Sequence, residues 1–158
     1  MNIVSTQYNL QNKTLEIYLS GCYGDCYNCH NPELKDFNIG NYYSDELPKI
    51  IQKIYEFDSL IDNIWILGGE PLDQDIQELN SLLKYLARTN KKIWLWTRYE
   101  IDKVPEDIIE YLIYIKTGRY IEELSTDTNI QYGIKLASLN QKIYKIKGGI
   151  PHTPIHSL

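Results

Sequence analysis

At 158 residues, with 43% hydrophobic and 23% charged side chains, the chain has the make-up of a globular protein long enough to bury one core. Its formal net charge of −5 provides no basic surface, so neither nucleic acid nor an anionic membrane is expected as a partner. No apolar run approaches the ~20 residues of a membrane helix, and residues 1–5 carry neither the basic region nor the apolar core of a signal segment. The expectation is a cytoplasmic protein with reduced thiols, folded as one domain over 1–158.

Taken in order, residues 1–14 read as a polar N-terminal extension with a short edge strand around Ile3 and Val4. Leu15, Ile17 and Leu19 alternate with Glu16 and Tyr18 in a strand pattern. The chain then runs straight into Gly21-Cys22-Tyr23-Gly24-Asp25-Cys26-Tyr27-Asn28-Cys29-His30-Asn31-Pro32, which holds all three cysteines in the spacing Cys-x3-Cys-x2-Cys. Three thiolates on one loop can converge on a single metal centre. A [4Fe–4S] cube takes four ligands, ordinarily cysteine, so three would leave one iron open to a small molecule. A structural disulfide fits an odd number of cysteines poorly. Zinc is the competing occupant, with His30 or a distal His152 or His156 as fourth ligand. Zinc sites, however, usually draw on separated ligand pairs, and His30 directly after Cys29 is awkward on one tetrahedral ion.

Further along, Ser44 reads as the cap of a helix that opens with Asp45 and Glu46 and carries Leu47, Ile50, Ile51, Ile54 and Tyr55 as a buried stripe. Residues 64–67 are a continuous apolar run, as in a parallel strand covered on both faces, ending in Gly68-Gly69-Glu70-Pro71. A helix over about 73–88 gathers Ile76, Leu79, Leu82, Leu83 and Leu86 on one side, and residues 93–97 form the next buried strand. Val104-Pro105-Glu106-Asp107 opens another helix, and residues 111–116 pass into a strand ending at Gly118. Short strand material follows over 130–144, around Ala137-Ser138-Leu139-Asn140-Gln141, and the tail 147–158 reads as irregular. Strands alternating with helices predict an α/β fold with a mostly parallel sheet. The chain is too short for eight such units, so a partial, open (β/α) barrel of about five or six strands is expected. The cysteine loop then lies just past the C-terminal end of a strand, where such folds carry out their chemistry.

The cysteine loop resembles the cluster loop of the radical S-adenosylmethionine (SAM) superfamily. Within it, the run from Gly21-Cys22 to Cys29-His30-Asn31-Pro32-Glu33-Leu34 is similar to the small glycyl-radical activating enzymes, above all the activators of anaerobic (class III) ribonucleoside-triphosphate reductases. The resemblance covers about residues 15–144. It implies Cys22, Cys26 and Cys29 as ligands of a [4Fe–4S] cluster with one open iron. It also implies that Gly68, Gly69, Glu70 and Pro71 meet the methionine end of SAM, with the Glu70 carboxylate suited to accept from an ammonium. Thr97, which closes the run Ile93-Trp94-Leu95-Trp96, and Ser138 and Asn140 of the late polar element are implied as further SAM contacts. Asn28 stands where many of these enzymes place an aromatic residue near adenine. Thr117-Gly118-Arg119-Tyr120 departs from the Asp-Gly-Lys-aromatic run of many activators, and Lys142 stands where an arginine often follows Asn-Gln.

The same residues admit plainer readings: Gly68–Pro71 as a strand-to-helix turn, the tryptophans as core, and 137–141 as a polar turn. The resemblance implies an activase that takes an electron from flavodoxin or ferredoxin, cleaves SAM reductively, and generates a glycyl radical on the large subunit of the reductase. Cluster and SAM would carry the chemistry, with no catalytic side chain. The alternatives are an activase of another glycyl-radical enzyme such as the formate-lyase type, another radical SAM enzyme, or a non-catalytic iron–sulfur or zinc module. No role is expected for His152 and His156.

Overall fold

In the computed structural model, which describes residues 1–153, chain order and sheet order diverge in a way that puts parallel strands in the middle. Strand β1 (Asn2–Asn9) and β2 (Thr14–Leu19) form an antiparallel hairpin, and β3 (Asn41–Tyr42) pairs with the outer side of β1. Then β4 (Asn63–Gly68), β5 (Lys92–Trp96) and β6 (Tyr114–Thr117) add to β2 in parallel, one beside the next. The short hairpin of β7 (Ile130–Gln131) and β8 (Ile134–Lys135) stands apart as a two-stranded sheet. Finally β9 (Lys142–Lys147) returns antiparallel against β6, and β10 (Ile150–His152) closes the edge. The order across the main sheet is β10-β9-β6-β5-β4-β2-β1-β3.

This corrects the expected mostly parallel sheet of five or six strands. The sheet has eight, and only the four central ones are parallel. The miss lies at both ends of the chain. Residues 2–9 carry the polar, partly exposed side chains of a strand near a sheet edge, so their pattern is weak, yet their backbone pairs with β2 over its whole length. At the other end, Gly148 and Gly149 both adopt positive φ (57° and 74°) and turn the chain back, so the segment read as an irregular tail forms β10, with His152 paired to Lys145. His156 lies outside the described residues. β3 and β10 are two separate edges.

Alternation along the parallel strands sorts their side chains to two faces. Leu15, Ile17 and Leu19 of β2, Ile64 and Ile66 of β4, Ile93 and Leu95 of β5 and Ile115 of β6 join the larger core. Three helices supply its other side: α1 (Tyr43–Glu56), α2 (Ile76–Ala87) and the short α3 (Glu106–Ile109). In α2, Leu79, Leu82, Leu83 and Leu86 are all completely buried, each contributing about 2 kcal/mol of burial free energy. The opposite face is aromatic: Trp65, Trp94, Trp96 and Tyr114 pack with Leu136 and Ile143.

Helix starts also differ from expectation. The cap position of α1 is Tyr42, without a side-chain cap, and Ser44 lies inside the first turn. Helix α2 begins at Ile76, because Pro71–Asp73 forms a separate 3-10 turn and Asp75 caps the helix by accepting from the Gln77 and Glu78 N–H groups.

Candidate cluster and cofactor site

Leu19 at the end of β2 lies opposite Gly68 at the end of β4, so the cysteine loop and the Gly68–Pro71 stretch leave the sheet together. Backbone bonds tie the two exits. Gly69 N–H donates to Leu19 O (2.9 Å), Glu70 N–H to Gly21 O (2.8 Å), and the Gln74 amide to the carbonyls of Ser20, Gly21 and Glu70. A Cβ on Gly69 would overlap the Gly21 carbonyl, and Gly68 holds φ at +116°. These glycines are required by one backbone lying against another, a packing need that the sequence pattern does not distinguish from a need to approach a ligand.

The cysteine loop is held from both ends. Gly21 N–H donates to Leu34 O (2.7 Å), and Tyr23 N–H donates to the Asp73 carboxylate (2.7 Å). Gly24 N–H points back to the Cys22 sulfur (3.2 Å). Burial pushes the Cys22 thiol above its ordinary pKa, while the Gly24 N–H and the nearby Arg98 pull the other way. All three cysteines are half-buried and unbridged. Asn28 holds a positive φ of 49° between Cys26 and Cys29. Among the described residues, no three His, Cys, Asp or Glu side chains are already gathered tightly enough to hold a metal ion. The donor set nevertheless fits a cluster: three unpaired thiols on one loop, one already accepting a backbone N–H, and two (Cys26 and Cys29) facing a common cavity.

That cavity, of about 340 Å³, opens at the C-terminal ends of β5 and β6. The cysteine loop forms one wall, with Cys26, Asn28, Cys29 and His30. Trp96, Arg98, Lys116, Arg119 and Lys135 contribute to the others, and no carboxylate lines it. Two residues of this lining, Trp96 and Arg98, each carry a buried ring or guanidinium N–H, Nε1 and Nε, without a hydrogen-bond partner. Such orphans are rare in folded proteins. Lys116 is 9% exposed, donates to Gly118 O (2.7 Å), and its pKa is lowered to about 8 by burial. Sequence reading missed it, although a lysine inside the apolar run Tyr114-Ile115-Lys116-Thr117 was the available signal.

Glu70 sits outside this lining, 2% exposed. Its carboxylate accepts from the Thr97 hydroxyl (2.6 Å), Leu72 N–H (3.0 Å) and Arg98 N–H (2.8 Å). Burial raises its pKa against these three donors. The structure therefore brings Glu70 and Thr97 together directly, as a clamp between the exits of β4 and β5, with Pro71 buried beside them. Asp73, also missed, is the companion clamp. Its carboxylate accepts from Tyr99 OH (2.5 Å), Arg98 Nη2 (3.3 Å) and Tyr23 N–H, joining the cysteine loop to the end of β5. Ser138 and Asn140 are occupied with each other (2.7 Å), and the Asn140 amide donates to Arg119 O (2.9 Å). Their segment is a turn that braces the Gly118–Arg119 wall, and Ala137 and Gln141 are its members on the cavity lining.

Residues 13–144 match the model of the 4Fe-4S single cluster domain. The chain belongs to that family. The chain is also similar to the anaerobic ribonucleoside-triphosphate reductase-activating protein of Haemophilus influenzae, 26% identical over 140 residues, covering 83% of this chain and 86% of that one. The proteins of the same name from Vibrio cholerae (26% over 138 residues, 82% and 85% covered) and Escherichia coli K12 (24% over 140 residues, 83% and 87% covered) are similar as well. The match to the 4Fe-4S single cluster domain spans the cysteine loop, both clamps and the cavity wall. No helix among the described residues is long and apolar enough to cross a membrane.

Proposed function

We propose that the chain is a single-domain radical SAM activase for an anaerobic ribonucleoside-triphosphate reductase. The observation that carries the reading is the pairing of a three-cysteine loop with a cavity at the ends of the parallel strands, two of the thiols facing into it. Cys22, Cys26 and Cys29 would hold a [4Fe–4S] cluster, the fourth iron being left without a protein ligand. The chemistry that such a cluster would supply is one-electron reductive cleavage of SAM, used for hydrogen-atom abstraction from a backbone glycine of the reductase.

The residues around the cavity bind and orient. Lys116 and Arg119 provide positive charge suited to the SAM carboxylate, and Asn28 and Trp96 flank the space left for the remainder. Glu70 is buried outside the lining and engaged by three protein donors, so in this reading it holds the exits of β4 and β5 beside the cavity and does not itself meet the SAM ammonium. Thr97 holds that carboxylate in place. The gathered relatives, all named as reductase-activating proteins, support the choice of partner. Exposed Tyr23 and Tyr27 on the cysteine loop leave the rim accessible to a segment of another protein. Flavodoxin or ferredoxin is the electron donor in this reading.

The test is anaerobic reconstitution with iron and sulfide, reduction with dithionite, addition of SAM and assay for 5′-deoxyadenosine. Product that disappears in Cys26→Ala supports the reading. A protein that takes up zinc, holds no cluster and leaves SAM intact overturns it in favour of a binding module. A glycyl-radical EPR signal on added reductase then decides the partner.

A further inference from the structure

Arg98 is held in an unusual way for a surface-capable side chain. Its backbone N–H is taken by Glu70, its Nη2 by Asp73 and by the Tyr99 hydroxyl (2.8 Å), and its guanidinium lies over the Tyr99 ring at 4.2 Å. None of these hydrogen bonds uses Nε, which is buried, 4.0 Å from the Glu70 carboxylate and without a hydrogen-bond partner. Gly24 lies beside both that nitrogen and the first cysteine. The point at which a Cβ would stand on Gly24 is 2.9 Å from Arg98 Nε and 3.1 Å from the Cys22 sulfur. The missing side chain of Gly24 is thus the space through which the guanidinium meets the first cysteine, and Arg98 also lines the cavity that Cys26 and Cys29 face.

We propose that Arg98 is a tuning residue for the cluster: its free Nε–H donates to the Cys22 sulfur, or to a cluster sulfur beside it, and raises the reduction potential of the centre. This rests on the reading of Cys22, Cys26 and Cys29 as cluster ligands. The physical basis is that hydrogen bonds to sulfur and nearby positive charge both favour the reduced, more negative state of an iron–sulfur centre. Asp73 and Tyr99 are the positioning partners. They anchor Nη2 and the guanidinium plane, so the remaining donor is presented without loss of side-chain freedom on cluster binding.

The test compares anaerobically reconstituted wild-type, Arg98→Met and Arg98→Lys proteins. Iron content is measured on each, and the reduced fraction is followed by EPR across a series of controlled potentials. Arg98→Met is expected to keep its iron while its reduction equilibrium falls at least tenfold, equivalent to 59 mV for a one-electron couple. Arg98→Lys, which keeps the charge and loses the planar Nε–H, is expected to fall between the two. Matching potentials in wild type and Arg98→Met at full iron content overturn the proposal. So does loss of iron from Arg98→Met combined with a wild-type potential in Arg98→Lys, which makes Arg98 only an anchor of the loop. A wild-type protein that holds no cluster overturns the underlying reading, and iron content alone tells that failure from the others.

Discussion

Lys116 concentrates the electrostatic cost of the cavity in one side chain. Its ammonium is buried with a single carbonyl partner, and its pKa falls from 10.5 in the unfolded chain to about 8 in the folded one. A depressed pKa means the folded state binds its proton less tightly, so the stability linked to this group is present above 10.5 and lost as pH falls through about 8. In the cluster-free protein, Lys116→Met should therefore remove a rise in stability of about 3 kcal/mol between those two pH values. Denaturant titrations of wild type and variant at pH 7, 9 and 10.5 measure it. Curves that stay parallel at all three would refute the assignment. In the proposed function a guest bearing negative charge would offset that cost, because an anion beside the ammonium replaces part of its lost solvation.

Among the elements, the paired exits of β2 and β4 matter most. Register fixes Leu19 against Gly68, and from that point the two loops stay in backbone contact through Gly69, Glu70 and Gly21. Gly69 has no room for a methyl group, because Gly21 O and Leu34 O already occupy its surroundings. Gly69→Ala should cost about 2 kcal/mol through overpacking and should also displace the cysteine loop. Urea midpoints report the first effect. Iron uptake on reconstitution reports the second, and a variant with wild-type uptake would show that the loop is positioned from elsewhere. The Asp73 clamp lies in the 3-10 turn that follows, so the same short stretch governs both the loop and the end of β5.

For the whole molecule, the site is made by bringing together segments that are distant in sequence. The cysteine loop, the end of β4, the end of β5, the end of β6 and the turn at 137–141 meet at one end of the sheet. A cluster bound there adds bonds that exist only in the folded chain, so it stabilises that chain by mass action. The reconstituted protein should melt at a higher temperature than the cluster-free one, and Cys26→Ala should abolish the difference. Calorimetry under anaerobic conditions checks this. Equal melting temperatures with iron present would place the metal on the unfolded chain as strongly as on the folded one.

What the sequence determined by itself was chemistry that is local in the chain. Three cysteines within eight residues, following an alternating strand, mark the candidate ligand loop without reference to anything far away. The parallel centre of the sheet was legible for the same reason, since apolar runs such as Ile64-Trp65-Ile66-Leu67 state their burial directly. The flanking strands were not, because a polar strand such as β1 takes its conformation from pairing with a neighbour, and pairing leaves little trace in composition. The roles of Glu70 and Asp73 were hidden in the same way. A carboxylate in a turn reads as a ligand or as a solvated side chain. Only the tertiary structure decides that both are buried acceptors for the end of β5, because their donors, Thr97, Arg98 and Tyr99, lie more than twenty residues away and arrive through the parallel pairing of β4 with β5.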